Sequence, residues 1–156
     1  MRKTIIIAAA FMLGVTGAQA QTPRKGGTIR YTAAYGSSFS GMDIHTTPRA
    51  QDEIWARAIH RSLYNWDSAP NKPVLELASA VTVSDDGLAH TFKLREDAFF
   101  HHGRKMTADD VIWTFTRLMD GSKAYPGARF VRLIKGAVEV EKGQAKAISG
   151  LRKIDD

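Results

Sequence analysis

"VTVSDDGLAHTFKLREDAFFHHGRKMTADDVIWTFTRLMD", residues 81–120, holds the reading on which the fold depends. Val81 and Val83 lead into Ser84-Asp85-Asp86-Gly87, after which Leu88, His90, Phe92 and Leu94 alternate with Ala89, Thr91 and Lys93. Successive strand side chains point to opposite faces, and glycine tolerates the left-handed backbone of a short loop, so the pattern predicts a β-hairpin with a three-residue turn. His90 falls on the apolar face, where a lone histidine reads as a core residue rather than a ligand. From Thr107 the period changes. Thr107 with Asp110 makes a capping box that uses Asp where Glu is usual. Val111, Ile112, Phe115, Leu118 and Met119 then form an apolar stripe at helical spacing.

Between hairpin and helix lies Phe99-Phe100-His101-His102-Gly103. Side chains of adjacent residues on an extended loop point to opposite sides, so one metal ion would reach both histidines only through an unusual bend. The chain has no cysteine, which excludes thiolate metal sites and thiol catalysis. Gly-rich phosphate loops, a Gly-x-Ser-x-Gly elbow and His-Glu-x-x-His are all missing from the sequence. Asp109 and Asp110 are neighbours on a predicted helix and so point different ways, which argues against paired-carboxylate chemistry. No catalytic residue, metal or cofactor is assigned.

The first twenty residues predict a cleaved signal peptide. Arg2 and Lys3 supply a positive start, Thr4 to Val15 are mostly apolar, and Ala18-Gln19-Ala20 is a small-x-small cleavage pattern. The apolar run is shorter than the about 20 residues of a membrane span. Cleavage after Ala20 leaves residues 21–156 as the mature chain. An exported protein without disulfides suits the bacterial periplasm, and with no cysteine there is no site for an N-terminal lipid. The formal net charge of +6 becomes +4 without Arg2 and Lys3, and acidic residues are interleaved throughout. No basic cluster interleaved with aromatics is present, so nothing points to a nucleic-acid partner.

Downstream of the leader, Ile29, Tyr31 and Ala33 alternate with Arg30 and Thr32 as a short strand, and Tyr35 to Gly41 is a Gly/Ser-rich loop. A helix is predicted from Thr47-Pro48 towards Trp66, with Ile54, Ala58 and Leu63 inward and Trp55 and Ile59 flanking. Asp67-Ser-Ala-Pro-Asn-Lys-Pro73 breaks it with two prolines. A third helix is expected from about Arg129 to Lys142, carrying Phe130, Leu133, Ile134, Ala137 and Val140. The closing Ala147-Ile-Ser-Gly-Leu-Arg-Lys-Ile-Asp-Asp156 looks like the approach to a further strand.

Taken together, three stretches resemble the family-5 solute-binding proteins of ABC transporters, the dipeptide, oligopeptide and nickel group. Residues 81–120 carry that family's Ser-Asp-Asp-Gly turn, Thr-Phe-x-Leu-Arg strand, Phe-His loop and Thr-Ala-x-Asp-Val helix start, in order. "GGTIRYTAAYGSSFSGMDIHTT", residues 26–47, is similar to the family's first strand and loop. "IKGAVEVEKGQAKAISGLRKIDD", residues 134–156, is similar to its Gly-Ala helix and Ile-x-Gly-Leu strand. His101 matches the family's loop histidine, whereas His102 stands where Asp is usual. Met42-Asp43-Ile44 replaces a frequent Leu-Asp-Pro, Arg61-Ser62 a frequent Glu-Gly, and Ala80 a common Trp.

The resemblance implies an α/β fold of the type II periplasmic-binding-protein kind. Residues 21–156 would form the N-terminal part of lobe I, an incomplete lobe with a mixed sheet, a β-hairpin and about three helices. It implies a monomeric periplasmic protein that binds a peptide or related small solute and passes it to ABC permease subunits in the inner membrane. Tyr35, Ser38 and Phe39, in the loop after the first strand, are candidates for one wall of the ligand cleft; the competing reading is a loop that only covers the lobe's core. Two other readings of the whole chain stand beside this one: a truncated remnant that binds nothing, and a small secreted metal enzyme built on the histidines.

Overall fold

The computed structural model describes residues 26–28, 41–47 and 49–155. The predicted leader, the strand at 29–33 and the loop carrying Tyr35, Ser38 and Phe39 lie outside them. The chain divides into a unit Met1–Thr32 and a unit Ala33–Asp156. In the first, residues 26–28 are exposed, with Gly26 and Gly27 at φ +82° and +107°.

The second unit begins with a 3-10 turn, Ile44–Thr46, and helix α1, Ala50–Ile59. Asp52 and Glu53 occupy the first turn of α1 and Arg57 the last, the arrangement that complements the helix dipole. Asp52 and Ala56 are its buried residues, so the inward face is rotated away from the expected Ile54–Ala58–Leu63 stripe. The helix is also shorter than predicted: His60 is already extended, at φ −109° and ψ 153°. Tyr64–Asp67 instead forms strand β1, antiparallel to β2, Lys72–Leu75, with Trp66 opposite Pro73. Among the described residues this sheet has two strands, and Pro73 sits at an edge where no ladder bond is lost. Asn71 turns the hairpin at φ 52°, a left-handed conformation that asparagine accepts readily. The ladder continues through Glu76 N to Leu63 O (2.9 Å) and Leu77 N to Ser62 O (3.0 Å).

The predicted hairpin is present: β3, Ala78–Val83, pairs antiparallel with β4, His90–Leu94, with a bulge between Ala78 and Ala80. Its loop is longer than three residues, because pairing stops at Val83 and His90 and closes with one bond from Ser84 N to Ala89 O (2.9 Å). Gly87 takes the expected left-handed conformation, φ +71°, and the Asp86 carboxylate accepts from Ser84 Oγ and Leu88 N. The longer loop carries Leu88 off the inward face and leaves it 84 % exposed. Phe92 and Leu94 are half-buried as the alternation requires. His90, by contrast, is exposed and stacks on Phe92, so the core reading of this histidine is corrected. Arg95 N donates to Leu77 O (2.9 Å) and joins the two hairpins. Among the described residues the two sheets are both antiparallel, and the strand expected at 29–33 lies outside them.

His101 and His102 sit at the exposed tip of a tight turn in which Gly103 N donates to Phe100 O and Phe100 N to Arg104 O. Helix α2, Ala108–Leu118, then starts as expected: the Asp110 carboxylate accepts from Thr107 N (2.9 Å) and Thr107 Oγ1 (3.1 Å). The fork of Arg104, itself over the Phe100 ring, grips the same carboxylate at 3.0 and 2.6 Å.

The core lies where the end of α2 meets α3, Ala128–Val131, and α4, Ala137–Glu141. Met119, Ala128, Val131, Ala137 and Ile148 are buried together, with Phe115, Leu118, Ile134, Val140 and Leu151 around them. The single third helix predicted for residues 129–142 is thus two short ones. Gly136 breaks it with φ +83°, which a continuing helix does not allow. The break serves packing: a Cβ on Gly136 would lie 2.7 Å from Ser149 N, and Gly150 N donates to Lys135 O at 2.7 Å. The segment from Ala147 to Asp155 has no strand and contributes Ile148 to the core.

Two outcomes follow from these contacts. Gly136→Ala meets both a disfavoured φ and an occupied space, and is expected to lower stability by more than about 1 kcal/mol in urea titration. Hydrogen bonding from Arg104 first, then from Thr107, and against the opposing effect of burial, lowers Asp110 from 3.8 to about 2. A carboxylate depressed in the folded state contributes fully above its unfolded pKa and loses that contribution as pH falls through the folded value. Asp110→Asn should therefore cost about 1 kcal/mol near neutrality. The gap to wild type should close as pH falls from about 4 to about 2.

Candidate functional site

Tyr35, Ser38 and Phe39 lie outside the described residues; the segment that follows them, 41–47, is described. Asp43 caps the 3-10 turn by accepting from His45 N through Oδ1 (3.1 Å), while its carbonyl accepts from Thr46 N (3.1 Å) and Thr46 Oγ1 (2.7 Å). Thr47, buried, donates from Oγ1 to the buried carboxylate of Asp52 at 2.9 Å, and Arg49 Nε lies 3.9 Å from that carboxylate. The segment is thereby stitched to the first turn of α1. His60 Nε2, just past the other end of α1, is 2.9 Å from Met42 O.

The longest connection comes from α2. Arg117 NH1 is 3.1 Å from Asp43 Oδ1, and NH2 bonds Oδ2, so the guanidinium grips the carboxylate with both arms. The same NH1 is 2.6 Å from His45 Nδ1. The Tyr125 ring lies beneath Arg117 at 4.8 Å and meets the His45 ring edge-on at 6.0 Å, and the Trp113 ring is 5.9 Å from the same guanidinium. Hydrogen bonding from Arg117 holds Asp43 below the usual carboxylate range, and Asp43 in return raises Arg117. Burial, then the Arg117 charge, lowers His45.

Beside this polar cluster Met42, Trp55, Ala56 and Ile59 line an open hollow of about 330 Å³, apolar in character. Such a surface suits a hydrophobic side chain rather than a charged group. The remaining titratable residues do not converge. Asp109 pairs with Lys153 Nζ at 3.0 Å while Asp110 turns to Arg104. His102 lies against the Phe100 ring, and among the described residues no three His, Cys, Asp or Glu side chains are placed to hold a metal ion. The arrangement can position a loop and offer apolar and hydrogen-bonding surface; it presents no nucleophile paired with a base. Sequence reasoning missed Asp43, His45 and Arg117 as a group, since 74 residues separate the first from the last and Arg117 carried no signal beyond a helix's last turn.

Comparison with known proteins places the chain in a family. Residues 72–156 match the model of the bacterial extracellular solute-binding proteins, family 5, and the chain belongs to that family. It is 30 % identical over 138 residues to di/tripeptide-binding protein 1 of Pseudomonas aeruginosa, covering 81 % of this chain and 26 % of that protein. To the oligopeptide-binding protein AppA of Bacillus subtilis it is 26 % identical, covering 83 % of this chain and 24 % of that one. The chain thus spans about a quarter of the length of these relatives. Among solved structures, Listeria monocytogenes OppA bound to peptide superposes with a TM-score of 0.68 at 26 % identity, over 74 % of this chain and 23 % of that one. The substrate-binding domain of an oligopeptide ABC transporter from Bacillus anthracis gives 0.63 at 32 % identity, over 74 % and 22 %. The fold is that of the type II periplasmic-binding proteins, in part, and the family is one of substrate-binding proteins.

Proposed function

We propose that the chain forms the N-terminal part of lobe I of a periplasmic solute-binding protein that delivers peptides, or a related small solute, to ABC permease subunits in the inner membrane. The observation that carries the reading is its structural likeness to an oligopeptide-binding protein solved with peptide bound. The protein works as a monomer and catalyses nothing. Two lobes close about a hinge on an extended ligand. Main-chain hydrogen bonds hold the peptide backbone and tolerate varied side chains. Tyr35, Ser38 and Phe39 contribute one wall of the cleft, and the Arg117 cluster fixes the segment directly after them. Residues 1–20 act as the signal peptide.

A second reading, that the isolated chain binds nothing, is favoured by the exposure of Leu88 (84 %), Leu133 (90 %), Phe130 (67 %) and Trp113 (64 %). Apolar side chains left this open form surfaces that seek a partner.

Calorimetric titration with di-, tri- and longer peptides tests the function in a protein of the relatives' length that carries this chain. Joint alanine substitution of Tyr35, Ser38 and Phe39 is expected to weaken binding by about tenfold or more; unchanged affinity removes them from the cleft. If the 156-residue chain alone binds as tightly as the longer protein, the second reading fails. Expression in a Gram-negative host should yield a periplasmic chain whose N-terminal residue, by mass spectrometry, is Gln21; a chain retaining Met1 would overturn the leader assignment.

A further inference from the structure

Arg117 is an exacting partner for an imidazole. A guanidinium only donates, so with NH1 2.6 Å from Nδ1 of His45, that nitrogen must be the acceptor and the ring neutral, its proton on Nε2. A second proton on Nδ1 would set N–H against N–H and place two positive charges within hydrogen-bonding distance. The groups facing His45 are few. Arg117 comes from α2, Asp43 from its own segment and His60 from just beyond α1, and the Tyr125 ring meets it from the loop after α2. Among these, Asp43 favours an imidazolium, but its carboxylate is already committed to both arms of Arg117 and to the backbone N–H of His45.

We propose that Asp43, His45 and Arg117 form a proton-sensitive latch: neutral imidazole and carboxylate together hold segment 41–47 on α2, and protonation of His45 releases the imidazole half of that hold. Arg117 is the positioning residue and His45 the sensor. Burial and the Arg117 charge oppose protonation of His45 more than Asp43 favours it, so the latch is closed at neutral pH. The sign follows from linkage. The folded chain takes up this proton less readily than the unfolded one, so the contribution is complete above the unfolded value of 6.5. It is lost progressively as pH falls from there through the lower folded value. Segment 41–47 continues directly from the loop of Tyr35 to Ser40. Where that loop walls a ligand cleft, acid would loosen its anchorage, but the latch itself does not depend on that reading.

The test is an NMR titration of the five histidines in the full chain, with His45 assigned by its loss in His45→Gln. Wild-type His45 is expected to be the Nε2–H tautomer in long-range proton–nitrogen spectra and to titrate below a histidine in an unfolded peptide. Arg117→Met should move its midpoint up and Asp43→Asn should move it down. Protection of the residue-45 and Thr46 amides from exchange should fall with the His45 midpoint in wild type. His45→Gln, which keeps an acceptor without a titrating proton, should show no such step. A His45 that titrates like the unfolded peptide, carries its proton on Nδ1, or keeps its midpoint in both variants overturns the latch. If Arg117→Met fails to fold, the wild-type tautomer and Asp43→Asn decide the matter alone.

Discussion

The Arg117 guanidinium is the contact that ties segment 41–47, which precedes α1, to helix α2. It leaves the last turn of α2, lies over the ring of Tyr125 with Trp113 nearby, and ends on Asp43 and His45. Its strength lies in fit more than in burial. The side chain is 27 % exposed and the Asp43 side chain 43 %, so the ion pair alone contributes modestly. A planar fork matched to a carboxylate and laid over an aromatic ring fixes direction as well as distance, which an ammonium group cannot do. Helix α2 therefore serves two masters. Phe115, Leu118 and the adjoining Met119 face the core with α3 and α4, while Arg117 reaches the other way to the segment before α1.

What the sequence made legible is what local physics controls. The β3–β4 hairpin follows from two-residue alternation around a glycine, and the start of α2 from Thr107 and Asp110, whose bond forms within one turn. The β1–β2 hairpin was hidden because Pro70 and Pro73 look like breakers; among the described residues Pro73 lies on a sheet edge, where it costs no ladder bond. The split of the third helix at Gly136 was not foreseen, because its cause, the approach of Ser149, comes from farther along the chain. Leu88 was misplaced because the turn is longer than the pattern suggests, whereas His90 keeps the side of Phe92 but lies at the exposed end of β4. The Arg117 cluster was invisible, as contacts between distant residues leave no period behind. For Tyr35, Ser38 and Phe39 the resemblance alone speaks.

Family membership sets these local features in a wider frame, since the family is one of substrate-binding proteins and the chain spans about a quarter of its relatives' length. Among the described residues, Asp110 caps α2 and is held by the Arg104 fork, His45 accepts from Arg117, and an apolar hollow opens beside segment 41–47.

Gly136 and Gly150 face one another's neighbours across a gap that admits backbone and nothing more: a methyl on the first would strike Ser149, and one on the second would lie 2.9 Å from Lys135 O. At these two codons every missense change adds at least one carbon where none fits, whatever the chemistry of the newcomer. Sequence drift in this corner of the molecule is thus limited by geometry rather than by polarity, and the two positions can change only if the neighbouring backbone moves with them.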